Sequence, residues 1–202
     1  MHFELSEEHK AVQQAAREFA QNILKPGVIE RDEHQKFPAE EIKQLAELGF
    51  MGMMVDPKYG GSGMDTLSYV LAMEEISKID ASTSVCMSVN NSLVTWGLEA
   101  FGSEEQKQKY LVPLAKGEKI GAFCLSEPEA GSDATSQRTT AIDMGDHYLL
   151  NGTKNWITNG SSASTYLVIA QTDAAKGHRG INCLIVERDM PGFIIGAKEN
   201  KL

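Results

Sequence analysis

Cysteine and positive charge are both scarce in this 202-residue chain. The three cysteines, Cys86, Cys124 and Cys183, are odd in number and show no C-x-x-C spacing. The sequence therefore predicts neither a disulfide framework nor a zinc site, and it indicates a reducing compartment. The chain has 19 Lys and Arg residues and 28 Asp and Glu residues, which gives a net charge of −9. That balance argues against a nucleic-acid partner, because binding a phosphate backbone requires clustered positive charge.

Long apolar runs and familiar catalytic motifs are also lacking. No stretch approaches the roughly 20 apolar residues of a membrane-spanning helix, so we expect no membrane span. Met1 leads almost directly into a helical pattern, which predicts no signal or transit segment. We find no G-x-S-x-G, H-E-x-x-H or Walker motif, so the sequence predicts no catalytic residue set and no metal site.

The chain has the composition of an ordinary globular protein, and the spacing of its apolar residues changes near residue 120. Apolar residues make up 42% and charged residues 23% of the chain, as in soluble domains. Residues 1–118 show helical spacing, with N-cap signals at Ser6, Asp65, Asp80 and Ser103. From residue 119 to 202 the apolar residues form short strand-like runs. The sequence therefore predicts two domains with a boundary at residues 117–120.

The second half reads as a series of short strands separated by Gly, Asp and Asn. With the helical half before it, this pattern predicts an α+β fold, in which an all-α domain precedes an antiparallel β-barrel or sandwich. A turn is predicted at Gly145-Asp146. Besides the apolar run at residues 120–125, the predicted strands are Thr139–Ile142, Tyr148–Leu150, Thr153–Thr158, Tyr166–Ala170, Ile181–Val186 and Phe193–Ile195.

Two segments of the β-half carry small polar residues next to strand-like runs. The first is Phe123-Cys-Leu-Ser-Glu-Pro-Glu-Ala-Gly-Ser-Asp-Ala134, where Glu-Pro ends the apolar run and Gly131 permits close approach to the backbone. The second is Asn151-Gly-Thr-Lys-Asn-Trp-Ile-Thr-Asn159. Its Asn-Gly pair predicts a hairpin turn, and strand alternation would place Trp156 and Thr158 on one face. Taken alone, each of these sequence features is common in ordinary turns. Together, an indole wall, a hydroxyl and a donor-rich loop would suit a planar heteroaromatic ligand.

Both segments resemble signatures of the acyl-CoA dehydrogenase family. The family has an aromatic-Cys-aliphatic-Ser/Thr-Glu-Pro segment and a Trp-Ile-Ser/Thr-Asn segment that hold FAD. Two further stretches, Tyr59–Asp65 and Gly102–Lys107, look like family signatures, as does the start of the second segment, Asn151–Lys154. All stand in the family's order. The resemblance covers the whole chain.

The resemblance implies that FAD is the cofactor. Ser126 would bond to the pyrimidine edge of the isoalloxazine, Trp156 would lie against the ring and Thr158 would reach the N5 region. Donors at those positions stabilise the extra charge of reduced flavin, which raises its potential. The implied flavin contacts are Phe123, Cys124, Leu125, Ser126, Gly131, Ser132, Trp156, Ile157 and Thr158.

The resemblance also implies a substrate and a partner. Family members carry out α,β-dehydrogenation of acyl-CoA thioesters, and motif details favour short chains of the butyryl type. Electrons would pass to an electron-transfer flavoprotein, and the full-length protein would form a homo-oligomer, a tetramer. The mixed small surface of the helix predicted over residues 82–97 permits close helix packing, and by resemblance it would also line the acyl pocket. The implied substrate contacts are Ser132, Met87, Asn90, Asn91 and Val94.

The resemblance stops at the catalytic base. In the family a glutamate of a C-terminal helical bundle takes the α-proton, and no residue of this sequence matches it. We interpret Glu127 and Glu129 as exposed turn acids. We expect the chain to be a fragment whose β-domain is truncated, with weak FAD binding and little activity alone. The alternatives are an acyl-CoA oxidase or flavin monooxygenase relative, a non-catalytic flavin-binding or nucleic-acid-binding module, and a structural interaction module.

Overall fold

The computed structural model describes residues 4–198, and the chain divides between Lys119 and Ile120 into two compact units. The first unit is helical and the second contains a β-sheet, so the predicted α+β class with a helical first half is confirmed. Segments Ala20–Leu24, Val89–Thr95 and Lys107–Leu111 continue three of the helices as wider π-helical turns. The helices are α1 Glu7–Phe19, α2 Val28–Glu33, α3 Ala39–Glu47, α4 Thr66–Ser77, α5 Ala81–Ser88, α6 Trp96–Phe101, α7 Glu104–Gln106 and α8 Val112–Ala115.

The helices begin where side chains can accept hydrogen bonds from the first main-chain N–H groups. Ser6 caps α1. Asp65 accepts from the N–H three residues ahead at 2.8 Å, and Asp80 accepts in the same way at 2.9 Å. Ser103 and Gln106 form a reciprocal capping box, the arrangement that satisfies two N–H groups at once. All four predicted N-caps are confirmed.

The interior of the helical unit is mainly apolar, with some buried polar side chains such as Asn90 and Asn91. Helix α1 packs along α4, and α4 packs against α5. Within residues 4–198, no helix combines the length and the apolar character that crossing a bilayer requires. The largest fully buried apolar side chains of this unit are Leu24, Leu45, Met51, Met53, Ile76, Met87, Leu111 and Leu114.

The second unit is organised around one long strand, β4, which carries neighbours on both edges. One edge pairs with β5 in antiparallel fashion along its full length. The other edge pairs in parallel with β1 over its first four residues and with β2 at its last residue, Gln171. Strand β2 then forms an antiparallel hairpin with β3. The strands are β1 Gly121–Cys124, β2 Thr140–Asp143, β3 Tyr148–Asn151, β4 Thr165–Gln171 and β5 Ile181–Glu187.

The sheet is mixed, which corrects the prediction of antiparallel pairing throughout. After β1 the chain leaves the sheet and returns at β2 on the same edge of β4, still running in the same direction. Both strands must therefore pair with β4 in parallel, and the excursion between them spans residues 125–139. The turn predicted at Gly145-Asp146 is present and closes the β2–β3 hairpin, with Gly145 at φ +98°.

Two predicted strands and one predicted turn are wrong. Residues 153–158 lie in a loop, and residues 193–195 are irregular. Asn151-Gly152 is not a hairpin turn, because Asn151 still pairs with Thr140 at the end of β3. Phe193 instead packs its ring on Tyr166, 4.5 Å between centroids. It thereby covers a small core of Ala122, Cys124, Ala163, Tyr166, Val168 and Val186.

Candidate functional site

The end of β1 opens into a tight polar turn, as the Glu-Pro signal predicts. The N–H of Glu127 donates to the carbonyl of Ala130 at 3.0 Å, and the N–H of Ala130 donates back at 3.1 Å. This reciprocal pair closes the turn, and Pro128 and Glu129 are exposed at its tip. Ala130 is buried. The turn therefore anchors one end of the excursion, whose next residues, 131–133, are exposed.

The excursion continues through an exposed small-residue loop. Gly131 and Ser132 are both exposed, and a Cβ built on Gly131 would have no atom within 4 Å. Asp133 orders the next turn by accepting the hydroxyl of Thr135 at 2.6 Å and its N–H at 3.2 Å. The loop thus presents an accessible backbone and the hydroxyl-bearing Ser132 on the surface of the β unit.

The second predicted segment forms a strained loop that exposes a tryptophan. Trp156 has φ +60°, and its side chain is 61% exposed. Positive φ is rare for bulky residues and persists only where surrounding contacts impose it. Thr158 is half-buried on the same loop. An exposed flat aromatic side chain in a strained backbone conformation is not an ordinary core tryptophan.

The two segments lie side by side. The N–H of Asn155 donates to the carbonyl of Ser126 at 3.0 Å, and the ammonium of Lys154 donates to the carbonyl of Leu125 at 2.9 Å. These bonds join the residues next to Trp156 to the residues at the end of β1. Although the hairpin and the strand predicted for residues 151–158 are wrong, the two signature segments do meet on one surface.

A buried ion pair lies beneath this junction. Lys154 Nζ is 2.7 Å from Glu127 Oε1, and the two side chains are only 9% and 5% exposed. The carboxylate also accepts main-chain N–H groups of Arg138 at 2.6 Å and Thr139 at 3.1 Å. Burial alone would raise the pKa of the Glu127 carboxyl, but these hydrogen bonds, led by Lys154, lower that pKa to about 2.

The buried position of Glu127 corrects the interpretation of both glutamates as exposed turn acids. Only Glu129 is exposed, and it pairs with Arg138 at the surface at 2.5 Å. The sequence analysis also missed Lys154 as a site residue. Its signal would have been a cation inside a signature segment, but its carboxylate partner lies 27 residues earlier in the chain.

The remaining predicted residues of the β unit are buried or half-buried. Cys124 is 5% exposed within the small core, and burial raises the pKa of its thiol to about 12. Ile157 packs on the same core. Phe123, Leu125 and Ser126 are half-buried. A ligand on this surface would therefore meet the side chain of Trp156 directly, whereas Cys124 could offer it only main-chain groups.

The predicted acyl-pocket residues lie in the interior of the helical unit. Met87, Asn90, Asn91 and Val94 are each at most 2% exposed. The Asn91 amide accepts from Met53 N–H and donates to main-chain carbonyls. Asn90 donates to two more carbonyls, those of residues 51 and 114. These contacts support the packing interpretation, while the role of the four residues in an acyl pocket stays a prediction.

No group of three or more His, Cys, Asp or Glu side chains suited to a metal ion occurs among the described residues. What the junction offers is an exposed indole, hydroxyl groups and main-chain polar groups, arranged around a buried ion pair. Such a surface can bind and orient a flat polar ligand.

Comparison with known proteins gives the surface its context. A short-chain specific acyl-CoA dehydrogenase of Clostridium acetobutylicum is 49% identical over 202 residues, which cover 100% of this chain and 53% of that protein. A solved chain of the electron transferring flavoprotein study of Acidaminococcus fermentans superposes with a TM-score of 0.97 at 48% identity, covering 100% of this chain and 53% of that one. A glutaryl-CoA dehydrogenase of Mycobacterium smegmatis in complex with FADH2 superposes with a TM-score of 0.92 at 38% identity. The match covers 98% of this chain and 50% of that one.

The chain spans about half the length of the curated relatives it matches. Residues 6–118 match the family model of the acyl-CoA dehydrogenase N-terminal domain, and residues 122–202 match that of the middle domain. The chain therefore belongs to the acyl-CoA dehydrogenase family.

Proposed function

We propose that this chain provides the flavin-binding half of an FAD-dependent dehydrogenase that introduces an α,β double bond into short-chain acyl-CoA thioesters. The observation that carries this proposal is the 3.0 Å hydrogen bond from Asn155 to Ser126, because it brings both signature segments onto one surface. The short-chain preference is supported by the 49% identical short-chain specific relative.

The residues of the junction fit a flavin. The exposed indole of Trp156 offers a flat apolar wall for a tricyclic ring. Ser126 and Thr158 carry hydroxyl groups that can donate to ring nitrogen and oxygen atoms. The exposed Gly131 and Ser132 leave room for a ligand at the main chain. The proposed flavin-binding residues are Phe123, Cys124, Leu125, Ser126, Gly131, Ser132, Trp156, Ile157 and Thr158.

FAD, when bound, supplies the hydride-accepting chemistry of the reaction. The chain's own contribution is to bind the ring, to orient it and to donate hydrogen bonds to it. Donors such as Ser126 and Thr158 favour the reduced, more electron-rich ring and so raise its potential. Ser132 is the proposed contact to the thioester group of the substrate. The proposed contacts to the acyl chain are four buried residues of the helical unit, Met87, Asn90, Asn91 and Val94.

No residue of this chain is assigned as the base that removes the α-proton. We therefore expect the 202-residue chain alone to show little dehydrogenase activity. The proposed electron acceptor of the whole protein is an electron-transfer flavoprotein, consistent with the 48% identical chain from the Acidaminococcus fermentans study. The whole protein is proposed to be a homo-tetramer, acting in a bacterial cytoplasm or a mitochondrial matrix.

The experiment that tests this function is a titration of the purified 202-residue chain with FAD, followed by flavin absorbance and tryptophan fluorescence. We expect saturable binding that Trp156→Ala weakens and that Ser126→Ala and Thr158→Ala also weaken. Trp96→Ala is the matched control, because Trp96 is 55% exposed but lies in the helical unit. Equal affinity of the Trp156→Ala and Trp96→Ala variants would contradict the proposed site. Peroxide formation by the full-length protein with acyl-CoA would point instead to an oxidase.

A further inference from the structure

The buried pair of Glu127 and Lys154 connects three separate stretches of the β unit. Besides its bond to Glu127, Lys154 donates to the carbonyl of Leu125 at 2.9 Å and to Gln137 Oε1 at 3.1 Å. Glu127 accepts from the main chain at residues 138 and 139. One ammonium and one carboxylate thus tie together the end of β1, the approach to β2 and the Trp156 loop.

A purely stabilising role does not account for the whole cluster. Three buried polar atoms around it, Gln137 Nε2, Thr139 Oγ1 and Asn155 Oδ1, have no hydrogen-bond partner within residues 4–198. Replacing a buried ion pair by apolar side chains is often neutral or stabilising, so such a pair is weak evidence for a purely stabilising role. Unsatisfied buried atoms require a further explanation.

The strained backbone of Trp156 indicates a role of the pair besides stabilisation. Trp156 has φ +60° and is 61% exposed. Burial of its own side chain therefore does not offset the cost of this backbone conformation. Two residues before it, Lys154 fixes the loop to β1, and three residues after it, Asn159 donates to the carbonyl of Gly121 at 3.1 Å. The backbone strain at Trp156 is therefore maintained by contacts on both sides of the indole.

We infer that Glu127 and Lys154 are positioning residues, which fix the Trp156 indole next to Ser126 and so form the flavin surface; this inference rests on the proposed function. Neither side chain touches the flavin itself in this scheme. Lys154 places Leu125 and the loop, and Glu127 holds Lys154 while binding the main chain that leads into β2.

The experiment starts from the 202-residue chain carrying Trp96→Phe. Since the chain has two tryptophans, the fluorescence of this parent reports Trp156 alone. Into it we introduce Glu127→Gln, Lys154→Met and both together. Glu129→Gln is the matched control. It removes the same charge only two residues further along the chain, but the Glu129 side chain is 57% exposed. Fluorescence anisotropy and acrylamide quenching without flavin, FAD affinity and the thermal midpoint are measured for each protein.

We expect both single variants to lower the anisotropy of Trp156, to increase its quenching and to weaken FAD binding about tenfold or more. Glu129→Gln should match the parent. The double variant separates positioning from stability. It leaves no unpaired buried charge, so its thermal midpoint should exceed those of the single variants. Its Trp156 signals and FAD affinity should stay impaired, because the Leu125 carbonyl has lost its donor.

Recovery of the Trp156 signals together with the thermal midpoint would show that the pair is merely structural and would overturn the inference. Unchanged Trp156 signals in folded variants would overturn it as well. If a single variant fails to fold, the double variant still gives both readouts. A parent that binds no FAD contradicts the proposed function, yet the flavin-free fluorescence still decides whether the pair positions the indole.

Discussion

The side-chain amide of Asn159 donates to the main-chain carbonyl of Gly121 at 3.1 Å, which ties the end of the Trp156 loop to the first residue of β1. Asn159 is buried and has φ +65°. Asparagine adopts this left-handed conformation more readily than most other non-glycine residues. One side chain therefore meets two requirements, the backbone turn and the anchor on the strand.

Two substitutions at this position separate the two requirements. Asn159→Ala removes the anchor and disfavours the left-handed backbone, so we expect the free energy of unfolding to fall by about 2–3 kcal/mol. Asn159→Gly removes only the anchor, since glycine tolerates positive φ, and should cost about 1 kcal/mol. Urea unfolding followed by far-UV circular dichroism measures both. Equal losses in the two variants would show that the backbone conformation contributes nothing.

The Glu127 carboxyl should make stability depend on pH in the acid range. Its folded-state pKa of about 2 lies below the ordinary value of 4.5. The charged carboxylate therefore stabilises the fold above about pH 4.5, and this contribution is lost as the pH falls from there toward 2. We expect Glu127→Gln to be less stable than the parent by roughly 2–3 kcal/mol near neutral pH. That difference should shrink steadily below about pH 5.

Denaturant unfolding of both proteins at several pH values between about 7 and 3 checks this sign. Glu129→Gln serves as the control, because its carboxylate pairs with Arg138 at the surface and such exposed pairs contribute little. We expect its stability to follow that of the parent. A gap between Glu127→Gln and the parent that stays constant or widens on acidification would contradict the assignment of a stabilising charged carboxylate.

Local features of this fold could be predicted because their physical cause lies within a few residues. The caps at Ser6, Asp65, Asp80 and Ser103 each bind an N–H three residues ahead, so a short stretch of sequence contains both partners. Strand direction has a different origin. Whether β2 pairs with β4 in parallel depends on how residues 125–139 return to the sheet, which no local period reveals.

The site was predictable in its composition but not in its geometry. The alternation around Trp156 resembles a strand, yet the residue lies in a left-handed loop because Lys154 and Asn155 bond to the end of β1. These tertiary contacts override the local preference. The burial of Glu127 has the same cause: its partner Lys154 lies 27 residues away, and a Glu-Pro turn alone suggests exposure.

A substitution at Asn91 tests whether this residue supports the packing of the helical unit or contacts the substrate. Its amide makes three hydrogen bonds with main-chain groups of residues 50, 53 and 87 at 2.8–3.0 Å. Asn91→Ala leaves these buried groups unsatisfied, so we expect a loss of about 3 kcal/mol in unfolding free energy. Ser92→Ala, the control in the same helical stretch, loses one half-buried bond to Ser88 and should cost less than about 1 kcal/mol. An altered acyl preference of the full-length protein with unchanged stability would favour the pocket role instead.

Gly152 and Gly131 form a matched pair in the β unit, because both have φ outside the left-handed region. A Cβ on Gly152 would lie 2.3 Å from Thr139 Oγ1 and 2.7 Å from Thr139 Cα, whereas one on Gly131 would meet no atom within 4 Å. We expect Gly152→Ala to destabilise the chain by about 2 kcal/mol or more, since backbone must shift to relieve the contact. Gly131→Ala should change stability by less than about 0.5 kcal/mol, as surface substitutions usually do.

The same pair separates stability from ligand binding. If the missing side chain at Gly131 lets FAD approach the main chain, Gly131→Ala should weaken FAD binding by about tenfold. The thermal midpoint should stay at that of the parent. Gly152→Ala should lower the thermal midpoint first, and any loss of affinity should follow from unfolding. Titration with FAD at a temperature well below both midpoints keeps both variants folded. Full affinity in Gly131→Ala would remove this loop from the proposed flavin surface, because an added methyl group there meets no protein atom and could be felt only by a bound ligand.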